Sequence, residues 1–130
     1  MSDIKNILKL IKDNDISYVD LRFTDPRGKM QHVSQHISTI DEESLTNGFM
    51  FDGSSIAGWK AINESDMLMK PDLSRSFIDP FFAQPTLSIF CDILDPISGN
   101  PYERDPRSTA KGALAYMSSC LLYTSDAADD

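Results

Sequence analysis

The residues best suited to chemistry lie in the stretch FDGSSIAGWKAINESDMLM, positions 51–69. It holds two neighbouring hydroxyls and three carboxylates: Ser54, Ser55, Asp52, Glu64 and Asp66. A carboxylate attracts a cation and can accept a proton, so cation binding and general-base catalysis are both open to this group. A serine nucleophile is not indicated, because neither histidine is close in sequence and no nucleophile or phosphate-loop motif is present.

A plainer interpretation of the same stretch is also open. Asp52 and Gly53 could form an ordinary turn, with Glu64 and Asp66 simply solvated. Residues 54–65 have neither a helical nor a strand period, and long irregular segments of compact domains are usually functional or disordered. Apolar residues on both sides argue against disorder, but the residues alone do not choose between turn and site.

The elements before this stretch are a helix and a hairpin. Apolar residues at 4, 7, 8 and 11 predict an amphipathic helix over 3–13. Strict alternation predicts a half-buried strand over 17–24. The sequence DPRG at 25–28 favours a turn, after which 29–37 returns as a second strand.

The remaining elements are shorter. Residues 38–48 predict a helix, with Thr39 and Glu42 as a capping box and Gly48 at its end. Strands are predicted at 49–51, 67–70, 75–79 and 86–94, of which the last alternates most clearly. The pair Asp105-Pro106 predicts the start of a helix over 106–118, with Ala110, Leu114 and Met117 on one face. Strands and helices do not alternate regularly, so the fold class is α+β, a sheet partly covered by helices.

Composition bounds the class of protein. The chain has 130 residues, enough for one domain, and a net charge of −8, which argues against nucleic-acid binding. No apolar run approaches the roughly 20 residues of a membrane span, and the N-terminus lacks a secretory signal, so we expect a cytoplasmic protein. Cys91 and Cys120 form neither a metal pair nor a disulfide framework. His32 and His36 lie in an extended segment, which disfavours a metal site.

A family resemblance adds to these observations. The pattern aromatic-Asp-Gly-Ser-Ser, eight residues, then Glu-Ser-Asp and an apolar residue resembles the N-terminal signature of bacterial type I glutamine synthetase. The stretches 19–33, 78–87 and 103–111 resemble the same family in the same order, and the resemblance covers residues 4 to about 118. It implies a β-grasp domain at 1–104, followed at 105–119 by the start of a truncated C-terminal catalytic domain.

The resemblance also implies an activity. Members of this family join ammonia to the side-chain carboxylate of glutamate: ATP phosphorylates that carboxylate, and ammonia then displaces phosphate. ATP and Mg²⁺ or Mn²⁺ are the implied cofactors of the full-length enzyme, but the metal ligands and most nucleotide contacts follow after this chain. No metal ligand and no cofactor binding are therefore expected in the chain alone, which should be inactive by itself. Identical subunits form stacked rings, with each active site shared between neighbours.

The site residues carry over position by position. Asp52 matches the aspartate that binds ammonium and helps remove its proton, and Ser55 matches a hydroxyl beside that site. Asp66 matches a second acidic position near the subunit contact, in a supporting role. Trp59 lies near the neighbour's nucleotide or serves as an interface anchor. In a chain separated from its neighbours, Trp59, Phe81 and Phe82 are expected to be exposed and to promote association.

Two alternatives remain beside the enzyme. The chain could be a free-standing β-grasp interaction module, because one fold hosts many functions. It could also be an interrupted reading frame without a function of its own.

The last eleven residues, CLLYTSDAADD at 120–130, break the pattern of the preceding helix. They resemble the translated end of a transposase adapter used to build sequencing libraries, which predicts read-through sequence to be left out of fold reasoning. A disordered acidic tail is the alternative. Removing the three aspartates of this segment lowers the acidic count from 20 to 17 against 12 basic residues, so the net charge changes from −8 to −5.

Overall fold

The computed structural model describes residues 2–56 and 66–120, which form three helices and five strands. The helices are α1 (Ser2–Asp13), α2 (Glu42–Asn47) and α3 (Pro106–Ser119). The strands are β1 (Tyr18–Thr24), β2 (Met30–His36), β3 (Phe49–Asp52), β4 (Asp66–Asp79) and β5 (Thr86–Leu94). The order of elements confirms the α+β class.

One five-stranded mixed sheet has the strand order β2-β1-β5-β4-β3. The central strand β5 is parallel to its neighbour β1, and each other neighbouring pair is antiparallel. The predicted hairpin is confirmed: β1 and β2 pair from Tyr18 opposite His36 to Thr24 opposite Met30. Its turn closes where the Gly28 N–H donates to the Asp25 carbonyl at 2.9 Å.

Helices α1 and α2 cover one face of this sheet. Ile7 of α1 and Leu45 of α2 are each 1% exposed and belong to the same buried cluster as the sheet residues. The alternation predicted over 86–94 is confirmed, because one set of side chains in β5 is completely buried under these helices. The set is Leu87, Ile89, Cys91 and Ile93.

The opposite face of the sheet, here called the open face, is polar. Asp20 lies on this face and is nevertheless only 1% exposed. Its carboxylate accepts hydrogen bonds from Arg22 at 2.8 Å and from Ser34 at 2.9 Å, and Arg22 also binds Asp79 at 2.7 Å. Helix α3 begins on this face, where Arg107 joins the carboxylates of Asp72 and Asp92.

Two local predictions were wrong. The helix predicted over 38–48 divides into a 3-10 turn at Ile37–Thr39 and the shorter α2, because Asp41 adopts extended backbone and caps α2. The capping box is therefore formed by Asp41 and Ser44, not by Thr39 and Glu42, while Gly48 ends the helix as predicted.

The second correction concerns β4. The strands predicted at 67–70 and 75–79 are one strand of 14 residues, in which the pairing register with β5 shifts between Pro71 and Ser76. A proline cannot donate a ladder hydrogen bond, and such irregularities let a strand continue past it.

Several apolar side chains remain exposed. Phe81 is 93% exposed and Phe82 41%, as expected for this chain without neighbours. Leu114 of α3 is 48% exposed, so the predicted apolar face of α3 exists but contacts little of the described structure. No helix of the described residues is long and apolar enough to cross a membrane. Trp59, Glu64 and residues 121–130 lie outside the described residues.

Candidate functional site

Two predicted site residues face each other at the edge of the sheet. Strand β3 is an edge strand, and its last residue, Asp52, pairs directly with Asp66, the first residue of β4. Directly opposed residues of antiparallel strands place their side chains on the same face. The neighbouring Phe51 points to the other side, where its ring lies 5.2 Å from that of Phe23 in the core. Both carboxylates therefore lie on the open face, and both are exposed.

The backbone turns immediately after Asp52. Gly53–Ser55 form a single 3-10 turn for which Asp52 is the N-cap. The Asp52 Oδ1 atom accepts two hydrogen bonds from Ser54, one from its N–H at 2.9 Å and one from its hydroxyl at 2.6 Å. The Ser55 hydroxyl donates to the main-chain carbonyl of Asp52 at 2.8 Å. The turn interpretation is thus confirmed, and the turn is also what holds the Asp52 carboxylate.

The pair places two acidic side chains at one edge of the sheet. Like charges directly opposite on neighbouring strands destabilise a sheet. Asp52 and Asp66 are such a pair, and both are exposed, so solvent screens their repulsion. The excess of negative charge makes this edge attractive to cations.

Other reactive groups of the described residues are engaged elsewhere. His32 lies 2.7 Å from Asp20 on the open face, within the strand β2. Burial raises the pKa of the Cys91 thiol to about 12, so this cysteine is not a nucleophile at neutral pH. Within 2–56 and 66–120 no group of three or more histidine, cysteine or acidic side chains could hold a metal ion.

The structure brings together part of the predicted site. Asp52, Ser55 and Asp66 lie at one edge of the sheet, whereas Trp59 falls outside the described residues. The sequence analysis did not predict the contact between Ser54 and Asp52. The Ser54 hydroxyl donates to the Asp52 carboxylate, whereas the Ser55 hydroxyl donates to the Asp52 main-chain carbonyl. The available signal was the spacing Asp-x-Ser, which is typical of a side chain that hydrogen-bonds the backbone two residues on.

A family model described as "Glutamine synthetase, beta-Grasp domain" matches residues 15–96. This chain belongs to that family. The solved structure of a Plasmodium falciparum glutamine synthetase superimposes with a TM-score of 0.80 at 26% identity, over 89% of this chain and 22% of that one. The β-grasp fold expected from the resemblance is confirmed.

Curated relatives extend the match. A glutamine synthetase of Azospirillum brasilense is 60% identical over 119 residues, which are 92% of this chain and 25% of that protein. A protein of Cupriavidus pinatubonensis named 3-hydroxylaminophenol mutase is 53% identical over the same length. The chain spans about a quarter of the length of these relatives. Relatives with two different enzyme names match this chain over the same N-terminal region. Sequence identity in that region therefore does not by itself decide which reaction the protein catalyses.

Proposed function

We propose that this chain is the N-terminal part of a cytoplasmic glutamine synthetase, which ligates ammonia to glutamate with ATP and yields glutamine, ADP and phosphate. The chain supplies the ammonium-site wall to the neighbouring subunit of a homo-oligomer built of stacked rings. The observation that carries the proposal is the register of β3 and β4, which places Asp52 opposite Asp66 with both carboxylates exposed on one face.

The proposed chemistry of Asp52 is binding and deprotonation of ammonium. Ammonium has no lone pair and cannot attack until it loses a proton, and a carboxylate both attracts the ion and accepts that proton. The transfer converts ammonium and carboxylate into ammonia and a neutral carboxyl group. Asp66 adds negative potential beside it, and the Ser55 hydroxyl can accept a hydrogen bond from ammonium while it donates to the Asp52 carbonyl.

ATP and Mg²⁺ or Mn²⁺ belong to the proposed full-length enzyme rather than to this chain. The described residues offer no grouping that fits a metal ion. We therefore place metal and most nucleotide binding in the part of the protein that the longer relatives contain, with Trp59 near the neighbour's nucleotide or at the interface. The chain alone is expected to form no glutamine from ATP, glutamate, ammonium and magnesium, and glutamine formation by it would overturn this placement.

A hybrid enzyme tests the role of Asp52. Residues 1–119 of this chain replace the matching quarter of the Azospirillum brasilense enzyme, and glutamine formation is measured against ammonium concentration. Asp52→Asn keeps the shape of the side chain but removes the base, so we expect ammonium-dependent kcat/KM to fall on the order of 100-fold or more.

The control is Glu43→Gln, which removes an exposed charge in the first turn of α2 and should leave these kinetics unchanged. An Asp52→Asn hybrid as active as its parent would refute the proposed function. The alternative, a free-standing interaction module, requires no carboxylate at this position and predicts a hybrid without ammonium-dependent activity for either sequence.

A further inference from the structure

Strand β2 is the longer of the two edge strands of the sheet. It has seven residues, whereas the other edge strand, β3, has four and ends in Asp52. Proteins protect edge strands from pairing with another chain by keeping them short or by placing charges, prolines or bulges in them. The sequence of β2, MQHVSQH, has no lysine, arginine, aspartate, glutamate or proline, and its register with β1 is regular. The strand therefore lacks these protections.

The hydrogen bonds at the two ends of the hairpin show which way the main chain of β2 faces. At one end the Asp25 N–H donates to the Lys29 carbonyl at 2.9 Å, and at the other the Ile37 N–H donates to the Ser17 carbonyl at 2.9 Å. Hydrogen-bonded and non-hydrogen-bonded pairs alternate along an antiparallel ladder, so the odd-numbered residues of β2 turn their main-chain groups to β1. The N–H and C=O groups of the even-numbered residues therefore point away from the sheet.

Charges of opposite sign flank the two ends of β2. Arg27 and Lys29 precede the strand and are exposed, and Asp41 and Glu42, also exposed, lie at the start of α2 shortly after it. Because the whole chain carries a net charge of −8, two copies repel each other unless their contact is locally complementary. Two antiparallel β2 strands bring the basic end of each copy toward the acidic end of the other, whereas two parallel strands bring like charges together. The strand that fits this edge is therefore β2 of a second copy in antiparallel orientation.

We propose that β2 pairs with β2 of a second copy of this chain and joins the two five-stranded sheets into one continuous sheet. The pairing is centred on Val33, which lies opposite its own counterpart, so His32 of each copy is opposite Ser34 of the other. Both residues are even-numbered, and each such pair exchanges two main-chain hydrogen bonds. The patch is self-complementary, as a two-fold axis requires. It lies at the opposite edge of the sheet from β3 and Asp52, so it stands or falls independently of the proposed function.

The oligomeric state of the 130-residue chain tests this pairing. At about 0.15 M salt, sedimentation equilibrium should show a concentration-dependent species of twice the 14.5 kDa mass of one chain. Ser34→Pro removes an outward N–H and leaves the hydrogen bonds between β1 and β2 intact. It should weaken dimerisation at least about 10-fold, because the lost bond occurs twice in each dimer. A parent chain that is monomeric at every concentration would overturn the proposal.

The matched control is Ser34→Ala. It removes the hydroxyl that donates to Asp20, as the proline variant also does, but it keeps the outward N–H. We expect it to dimerise like the parent chain. Equal dimerisation of Ser34→Pro and the parent, or equal losses in the proline and alanine variants, would also overturn the proposal.

An exchange of charges covers the case in which Ser34→Pro folds poorly. Lys29→Glu and Glu42→Lys each place like charges together at both ends of the dimer, so each variant alone should dimerise about 3-fold more weakly than the parent. Glu42→Lys replaces −1 by +1 and changes the net charge from −8 to −6, so overall repulsion cannot explain a loss in that variant. An equimolar mixture of the two variants should recover the dimer fraction of the parent. A mixture no more dimeric than its components would contradict the antiparallel arrangement.

Amide hydrogen exchange identifies the strand that forms the contact. The outward N–H groups of His32 and Ser34 should exchange rapidly in dilute solution and gain at least about 10-fold protection in the dimer. The N–H of Val33, which faces β1, should be protected in both. A dimer without added protection at His32 and Ser34 would have formed elsewhere, for example around the exposed Phe81, and would overturn the proposal.

Discussion

At the residue scale, the open face of the sheet shows how this fold accommodates charged side chains. Alternation places Asp20 and Arg22 on the side of β1 away from α1 and α2, where a sequence pattern predicts solvent. The structure instead buries the Asp20 side chain to 1% exposure and satisfies it with Arg22, His32 and Ser34. Burial raises the pKa of Asp20, but these three hydrogen bonds outweigh it and hold the pKa below its usual value.

Gly48 is the residue whose backbone most requires glycine. It has φ 93° and ψ −178°, a conformation essentially closed to other residues, and an added Cβ would lie 2.6 Å from the Met69 carbonyl oxygen. Gly48→Ala is expected to lower the free energy of unfolding by at least about 1–3 kcal/mol. Urea unfolding of the 130-residue chain measures this.

The control for that measurement is Gly112→Ala. Gly112 lies inside α3 with nothing within 4 Å of an added Cβ, so alanine should be neutral or stabilise by up to about 1 kcal/mol. Equal effects of the two substitutions would show that the backbone conformation at Gly48 carries no special cost.

At the element scale, α3 is attached to the sheet through its first two turns. Asp105, completely buried, caps the helix at the Arg107 N–H and also accepts from the main-chain N–H of Ile93 in β5 at 3.0 Å. Arg107 and Lys111 then bind Asp92 at 2.6 and 2.5 Å. The placement of 105–119 as the start of the next domain stays a prediction, and these contacts indicate that its first turn would move with the β-grasp sheet.

Arg107→Ala should loosen this attachment. The substitution leaves the Asp72 carboxylate without its cation and Asp92 with Lys111 alone, so α3 should open more often while the central strands stay closed. Native-state hydrogen exchange is expected to show lower protection at residues 109–112 and unchanged protection in β5.

Arg75→Ala is the matched control for Arg107→Ala. Arg75 is exposed and forms no ion pair with any residue that the structure describes, so its removal should alter neither region. Equal protection of α3 in the Arg107 variant and the parent would mean that Asp105 and Lys111 anchor the helix without Arg107.

At the scale of the whole molecule, the lowered carboxylate pKa values set the acid limit of stability. A carboxylate with a depressed pKa in the folded state stabilises the fold above its unfolded pKa, and the stabilisation is lost as the pH falls through the folded value. For Asp72 this window extends from 3.8 down to about 2. Stability should therefore fall steeply between about pH 4 and pH 2.

Asp72→Asn measures this contribution. At pH 6 the variant should be less stable than the parent by about 2 kcal/mol, and the difference should shrink toward pH 2 as the parent loses its own carboxylate charge. Urea unfolding at each pH provides the comparison, with Glu43→Gln as the control for loss of one exposed charge. A difference that does not change with pH would contradict the linkage.

The sequence by itself determined the local elements and the family. The alternation over 86–94, the helix over 3–13 and the hairpin around DPRG are short-range patterns, and short-range patterns indicate element type. The signature at 51–69 indicated the family, and the roles of its residues stay predictions. Where local signals competed, as with Thr39 and Asp41 for the cap of α2 or the two halves of β4, the outcome depended on tertiary contacts.

Only the tertiary structure decided which residues meet. The pairing of Asp52 with Asp66 is a matter of strand register. The burial of Asp20 depends on its partners His32 and Ser34 from β2, and on Arg22, which Asp79 at the end of β4 also binds. Register and burial are set by contacts between segments far apart in the chain, whose energies no local pattern contains. The same limit applies to Ser54 and Ser55. The turn directs the Ser54 hydroxyl to the Asp52 carboxylate and the Ser55 hydroxyl to the Asp52 main-chain carbonyl, and the sequence alone does not predict this difference.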